Sequence, residues 1–165
     1  MSKTGEDLKA AFAGESQANR RYLAFAKQAE KDGYAMVAKL FRAVAAAETV
    51  HAHNHLRVMG EIGTTEENLK AAAAGENYEI VSMYPEFIAD AEKEGDKKAA
   101  TSFKWAWEVE KAHEQLFKQA LAQLGSAAGD LQIWVCPVCG NTVIGTVPEK
   151  CPVCNTPGAR FEKID

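Results

Sequence analysis

Glu48 and His51 stand three residues apart in the alanine-rich run AAETVHAHNH at 46–55, and the pair returns 62 residues later as Glu110 and His113 in VEKAH. On a helix that spacing puts both side chains on one face. A carboxylate and an imidazole on a face that is otherwise apolar are costly to bury without a partner. Meeting the pair twice at one offset constrains the fold to two equivalent helices that present the same chemistry.

The repeat extends beyond these residues. AGE at 13–15 recurs at 74–76, and AEKDG at 29–33 recurs as AEKEG at 91–95, so the body reads as a duplicated helical hairpin. The first offset is 61 and the second 62, which places one extra residue between Glu76 and Ala91. That stretch also holds Pro85, which removes a helix hydrogen bond and crowds the preceding turn. A π-bulge or kink is predicted there. Gly33, Gly60, Gly63 and Gly95 punctuate a body rich in Ala, Glu, Lys and Leu, predicting helices over 4–31, 34–60, 65–94 and 96–124. Short connections favour antiparallel packing of sequence neighbours.

On these helices the apolar seams carry glutamates near their middles: Glu15, Glu48, Glu76 and Glu110. One glutamate from each of two helices plus Glu-x-x-His from each of the other two is a ligand set for a carboxylate-bridged di-iron or di-manganese centre in a four-helix bundle. Hard oxygens with imidazole suit iron or manganese. Glu79 follows Glu76 by three residues, but its repeat counterpart is Ala18; it is a seventh potential ligand available to one metal only. His55, one turn beyond His51, reads either as a support to the ligands or as a core histidine, and His53 as a surface residue.

All four cysteines lie in the last thirty residues, as two Cys-Pro-Val-Cys pairs: Cys136 with Cys139 and Cys151 with Cys154. Such a quartet is a tetrahedral site for iron or zinc. Gly140 and Asn155 follow the pairs where the chain must turn, and both residue types tolerate positive φ. The run GSAAGD at 125–130 reads as a linker. The expected organisation is an all-α four-helix bundle over 1–125, a linker over 126–130 and a small four-cysteine domain over 131–165.

The chain has 19 Lys+Arg against 23 Asp+Glu, a net charge of -4, which gives no basic patch for nucleic acid. Neither a signal peptide nor a run of about 18 apolar residues is present. A cytoplasmic, non-membrane protein is expected, where paired cysteines bind metal rather than form disulfides.

With AGESQANRRY, AETVHAHNH, AGENYE, MYPEF, VEKAH and the two cysteine knuckles in view, the chain resembles the rubrerythrins over essentially its whole length: a ferritin-like di-iron bundle followed by a rubredoxin-like domain. Asn141 and Asn155 depart from the aromatic residue and the glycine common at those places. The resemblance implies that Glu15, Glu48, Glu76, Glu79, Glu110 and His113 bind the oxidised iron pair, and that His51 replaces Glu79 on one iron after reduction. Tyr22 matches a family tyrosine that hydrogen-bonds near the site. The implied activity is reduction of hydrogen peroxide to water, in defence against oxidative stress. Electrons would pass through the tail iron from an external NAD(P)H-dependent reductase or small redox protein, because the chain has no nucleotide-binding Gly-rich motif. The rivals are a ferroxidase or oxidase using dioxygen, and a non-catalytic metal-binding or storage protein with a zinc tail. Helix rise puts Gly125 about 22 Å from Glu110, so a head-to-tail homodimer in which each tail feeds its partner's iron pair is expected.

Overall fold

The computed structural model describes residues 2–126 and 131–165; most of the expected linker therefore lies outside the described residues. The chain forms two compact units, Met1–Gly63 and Thr64–Asp165.

The first unit is a hairpin of α1 (Lys3–Lys31) and α2 (Ala35–Met59). Ser2 caps α1 by accepting from the Gly5 N–H, and Gly60, left-handed at φ 70°, ends α2. The two helices meet through small residues: Ala26 and Ala29 on α1, and Ala38, Ala45 and Ala52 on α2, are all buried. Alanines seven apart let the backbones approach closely. The buried Asn19 uses that closeness, its amide donating to the Ala45 carbonyl (2.7 Å) and to the Thr49 hydroxyl oxygen (2.8 Å). Near the turn, Tyr22, Phe25 and Phe41 cluster with ring centroids 5.6–6.3 Å apart.

The second unit opens with α3 (Thr65–Tyr78), capped by a reciprocal Thr64–Glu67 box. A π-helical turn over Glu79–Met83 leads directly into α4 (Tyr84–Glu94). The predicted irregularity thus falls between Glu76 and Ala91, with Pro85 in the first turn of α4, where a missing N–H is tolerated. What reads in sequence as a single helix over 65–94 is two α-helical segments joined by the wider turn. Asp96 caps α5 (Lys97–Ala122) by accepting from Lys98 and Ala99. Trp107 on α5 donates its indole N–H to the Ile80 carbonyl inside the π turn (2.8 Å), an added partner where the helical ladder is respaced. The repeat also shows in packing, for Tyr84, Phe87 and Phe103 cluster at 5.6–6.4 Å, 62 residues after the first trio.

The same unit ends in a three-stranded antiparallel sheet of order β2-β1-β3, with β1 at Ile133–Val135, β2 at Thr142–Ile144 and β3 at Glu162–Ile164. Cys136, Cys151 and Phe161 form its core, packed by Trp134, Val143, Val147 and Val153. A Cβ on Gly158 would lie 2.0 Å from the Pro148 carbonyl oxygen, a backbone atom that cannot yield. Gly158→Ala is therefore expected to disrupt the four-cysteine segment and abolish its metal chromophore, while far-UV circular dichroism from the helices is retained.

Candidate metal centre

Each hairpin gathers one glutamate and one Glu-x-x-His pair. In the first unit the ligand atoms of Glu15, Glu48 and His51 lie within 4.8 Å of one another. Helical spacing brings His51 Nδ1 to 2.9 Å from Glu48 Oε2, and the close α1–α2 approach leaves it 3.9 Å from Glu15 Oε1. In the second unit Glu76, Glu110 and His113 converge within the same limit. His113 Nδ1 stands 2.6 Å from Glu110 Oε2, and this triad is the more shielded, since His51 is exposed and His113 half-buried.

Electrostatics mark the second triad as a place for cations. Burial, reinforced by the charge of Glu110 and a hydrogen bond with it, pushes the Glu76 carboxyl up to about 7, although His113 pulls the other way. Glu79, the first residue of the π turn, is raised by burial and then by the Glu110 charge. His113 is raised chiefly by its hydrogen bond with Glu110. Carboxylates held this close repel one another as anions, and divalent cations relieve that repulsion. The donor set fits hard cations such as iron or manganese.

Two residues that sequence reasoning passed over belong to this environment. Tyr84 has its hydroxyl proton held by burial and by the charges of Glu79, Glu110 and Glu76. Its signal was present in the repeat, since it follows Tyr22 by 62 residues. Tyr22 itself is placed in the aromatic cluster, 6.1 Å from Phe41. The second residue, Thr142 of β2, has no local signal at all. Its oxygen lies 2.9 Å from His113 Nε2 and its hydroxyl donates to the Gly140 carbonyl (3.1 Å). With its one proton committed there, Thr142 accepts from His113 Nε2–H. That leaves Nδ1 toward Glu110, where a proton bridges the two groups in the metal-free chain and a bound cation would take its place, leaving the neutral Nε2–H tautomer.

This contact corrects one expectation. With Gly125 about 22 Å from Glu110 by helix rise, each tail was expected at its partner's centre, yet the described strand β2 sits against His113 of the same chain. Leu116, Phe117 and Ala120 of α5 line an apolar cavity with Ile133 and Ile144 of the sheet, and the partial burial of Leu116, Phe117 and Ile133 favours the fold-back.

The four cysteines also converge. Cys136 and Cys154 Sγ are 3.6 Å apart and Cys139 and Cys151 Sγ 3.5 Å, close to the ~3.8 Å edge of a tetrahedron with metal–sulfur bonds of about 2.3 Å. Gly140 (φ 84°) and Asn155 (φ 61°) make the expected turns, their N–H groups donating to the Cys136 and Cys151 carbonyls. Burial raises Cys151. At Cys154 burial is outweighed by hydrogen bonds from Thr156, and the thiol is lowered to about 6. His53 is exposed and His55 half-buried.

In comparisons with known proteins, residues 6–121 match the family model described as Rubrerythrin, and residues 134–162 match that of the rubrerythrin rubredoxin-like domain. The chain is 40% identical to the rubrerythrin of Porphyromonas gingivalis, covering 99% of this chain and 90% of that one. It is 37% identical to nigerythrin of Nitratidesulfovibrio vulgaris, covering 98% and 86%. A structure of nigerythrin in its fully reduced, all-ferrous state matches with TM-score 0.61 at 36% identity, covering 99% of this chain and 88% of that one. The fold class is accordingly ferritin-like, with a rubredoxin-like domain at the C-terminus.

Glu76 and His113 hold protons more tightly here than in an unfolded chain. Native protein thus binds more protons than unfolded, and stability falls with rising pH. The metal-free protein should lose thermal stability as pH rises from the ordinary carboxyl value of 4.5 through about 7, and Glu76→Gln should flatten that dependence. With divalent metal added the slope should reverse, because ligation needs the deprotonated groups; thermal unfolding with and without chelator measures both.

Proposed function

This chain belongs to the rubrerythrin family, and from that membership we propose that it is a cytoplasmic di-iron peroxidase that reduces hydrogen peroxide to water. Glu15, Glu48, Glu76, Glu79, Glu110, His51 and His113 would hold the iron pair, with His51 and Glu79 as alternative ligands to one iron. The four cysteines would hold a third iron. No described helix is long and apolar enough to cross a membrane.

Bound there, the ferrous pair would supply two electrons and Lewis acidity for O–O cleavage; with two protons, each peroxide gives two waters. The chain's own residues prepare the place. Glu110 and Thr142 hold His113 from its two ring nitrogens, so the imidazole has one orientation to offer. Glu79 stands in the widened turn that Trp107 braces. Tyr84 stays neutral beside three carboxylates and retains its proton.

The observation that carries the redox reading is the Thr142–His113 hydrogen bond, which joins the four-cysteine segment to a candidate iron ligand. The rubredoxin-like iron would supply single electrons, received from an external NAD(P)H-dependent reductase or a small redox protein. A storage protein has no use for such a junction.

Glu79→Ala is expected to load metal normally and to slow peroxide turnover on the order of 10–100-fold. A parent rate with both irons in place would remove Glu79 from the mechanism. Cys151→Ser should abolish donor-driven turnover, yet chemically reduced protein should still consume one equivalent of peroxide. Reduced wild type that oxidises faster with dioxygen than with peroxide would favour the ferroxidase reading instead.

A further inference from the structure

The π turn separates one carbonyl from its ordinary partner. In an α-helix the Ile80 carbonyl would accept from the N–H of Tyr84, four residues on. Here the Tyr84 N–H goes to the Glu79 carbonyl instead, at the wider spacing of a π-helix. At that wider spacing the donor for Ile80 would be Pro85, which has no N–H. Widening the turn therefore takes both helical donors away from the Ile80 carbonyl.

Trp107 of α5 supplies the missing donor, its indole N–H reaching the Ile80 carbonyl at 2.8 Å. The ring is held in its turn, for Lys111 Nζ lies 3.4 Å from its centroid and is anchored to Glu108 at 2.7 Å. The repeat shows that this donor answers to the π turn and not to hairpin packing in general. At the offsets of 61 and 62, Ile80 corresponds to Asn19 and Trp107 to Ala45. The first hairpin joins the same two positions in the opposite sense: Asn19 donates and the Ala45 carbonyl accepts, at 2.7 Å. There α1 is one continuous α-helix over Lys3–Lys31, and the donor sits on it. In the second hairpin, where the helix is respaced, position 80 has become the acceptor and the donor has moved across to α5.

We infer that Trp107 is the positioning residue for Glu79: by giving its indole N–H to Ile80 it fixes the register of the π turn, and with it the place of the carboxylate that opens the turn. Without that donor, the Tyr84 N–H is the helical group able to serve Ile80. Its return to the α-helical partner shifts the widened turn along the chain and rotates Glu79 relative to Glu76 and Glu110. On the di-iron reading above, Glu79 leaves one iron and comes back to it. A backbone pinned from α5 lets the side chain alone carry that exchange. The catalytic consequence rests on that reading of Glu79; the register of the turn does not.

The test is Trp107→Phe in the full-length chain, which keeps an aromatic ring beneath Lys111 and removes the donor. Scalar couplings across hydrogen bonds, read by NMR, identify the carbonyl that accepts each N–H. In the metal-free wild type the Tyr84 N–H should couple to the Glu79 carbonyl carbon; in Trp107→Phe that coupling should vanish and one to Ile80 should replace it. If Trp107→Phe fails to fold, replacing Trp107 by benzothienylalanine, which puts sulfur where the indole N–H was at nearly the same volume, carries the same measurement. In iron-loaded protein Trp107→Phe should slow peroxide turnover roughly tenfold. It should slow the Glu79→Ala variant no further, because both changes act through one carboxylate. A coupling between Tyr84 and Glu79 that survives loss of the indole N–H overturns the inference. So does a slowing of equal size with and without Glu79, or a parent rate in Trp107→Phe where Glu79→Ala is slow. Parent-rate turnover in Glu79→Ala itself would overturn instead the reading of Glu79 as a ligand, and the coupling would still decide what Trp107 does.

Discussion

Mutual repulsion among carboxylates is the constraint on which the rest of this chain depends. Glu76 and Glu110 come close enough to share a hydrogen bond, with Glu79 near enough to feel the same charge. Helices do not gather anions on their seams without a compensating cation. The alanine-lined approach of α1 to α2, the π turn, and the clamp on His113 all place donors where a cation can neutralise them. The metal-free chain is thus held in an arrangement that costs electrostatic energy, and metal binding recovers it.

Much of this was legible in the sequence because it is local. Glu48 with His51, and Glu110 with His113, are one helical turn apart, and any helix would bring them together. The change of offset from 61 to 62 announced the π turn, since one extra residue in a helix must be absorbed by widening it. Gly140 and Asn155 announced their knuckles through backbone conformation. Thr142 was not legible, for its role depends on β2 reaching α5 across 29 residues of chain, and nothing in TVIG distinguishes it from an ordinary strand. The fold-back of the tail was misjudged for a related reason: linker length bounds reach but says nothing of the apolar contacts of Leu116 and Phe117 that direct it. Tyr84 was legible and passed over, although the repeat pointed to it.

Duplication explains why the two hairpins share so much beyond their ligands. Tyr22, Phe25 and Phe41 reappear as Tyr84, Phe87 and Phe103 with similar centroid separations, though the rings are tilted differently. A hairpin packed on alanines keeps its larger apolar residues for other surfaces, so neither half makes a complete core alone.

The inserted residue at the π turn breaks that equivalence. A strictly doubled frame would make its two metal positions interchangeable, and neither ion could be told from the other. With Glu79 on one side and Ala18 at the corresponding place on the other, the two positions would differ in the donors they offer on the di-iron reading, and hence in affinity. Ions of unequal affinity would load one at a time, which would open the way to heterobimetallic pairs within a framework inherited as a copy of itself.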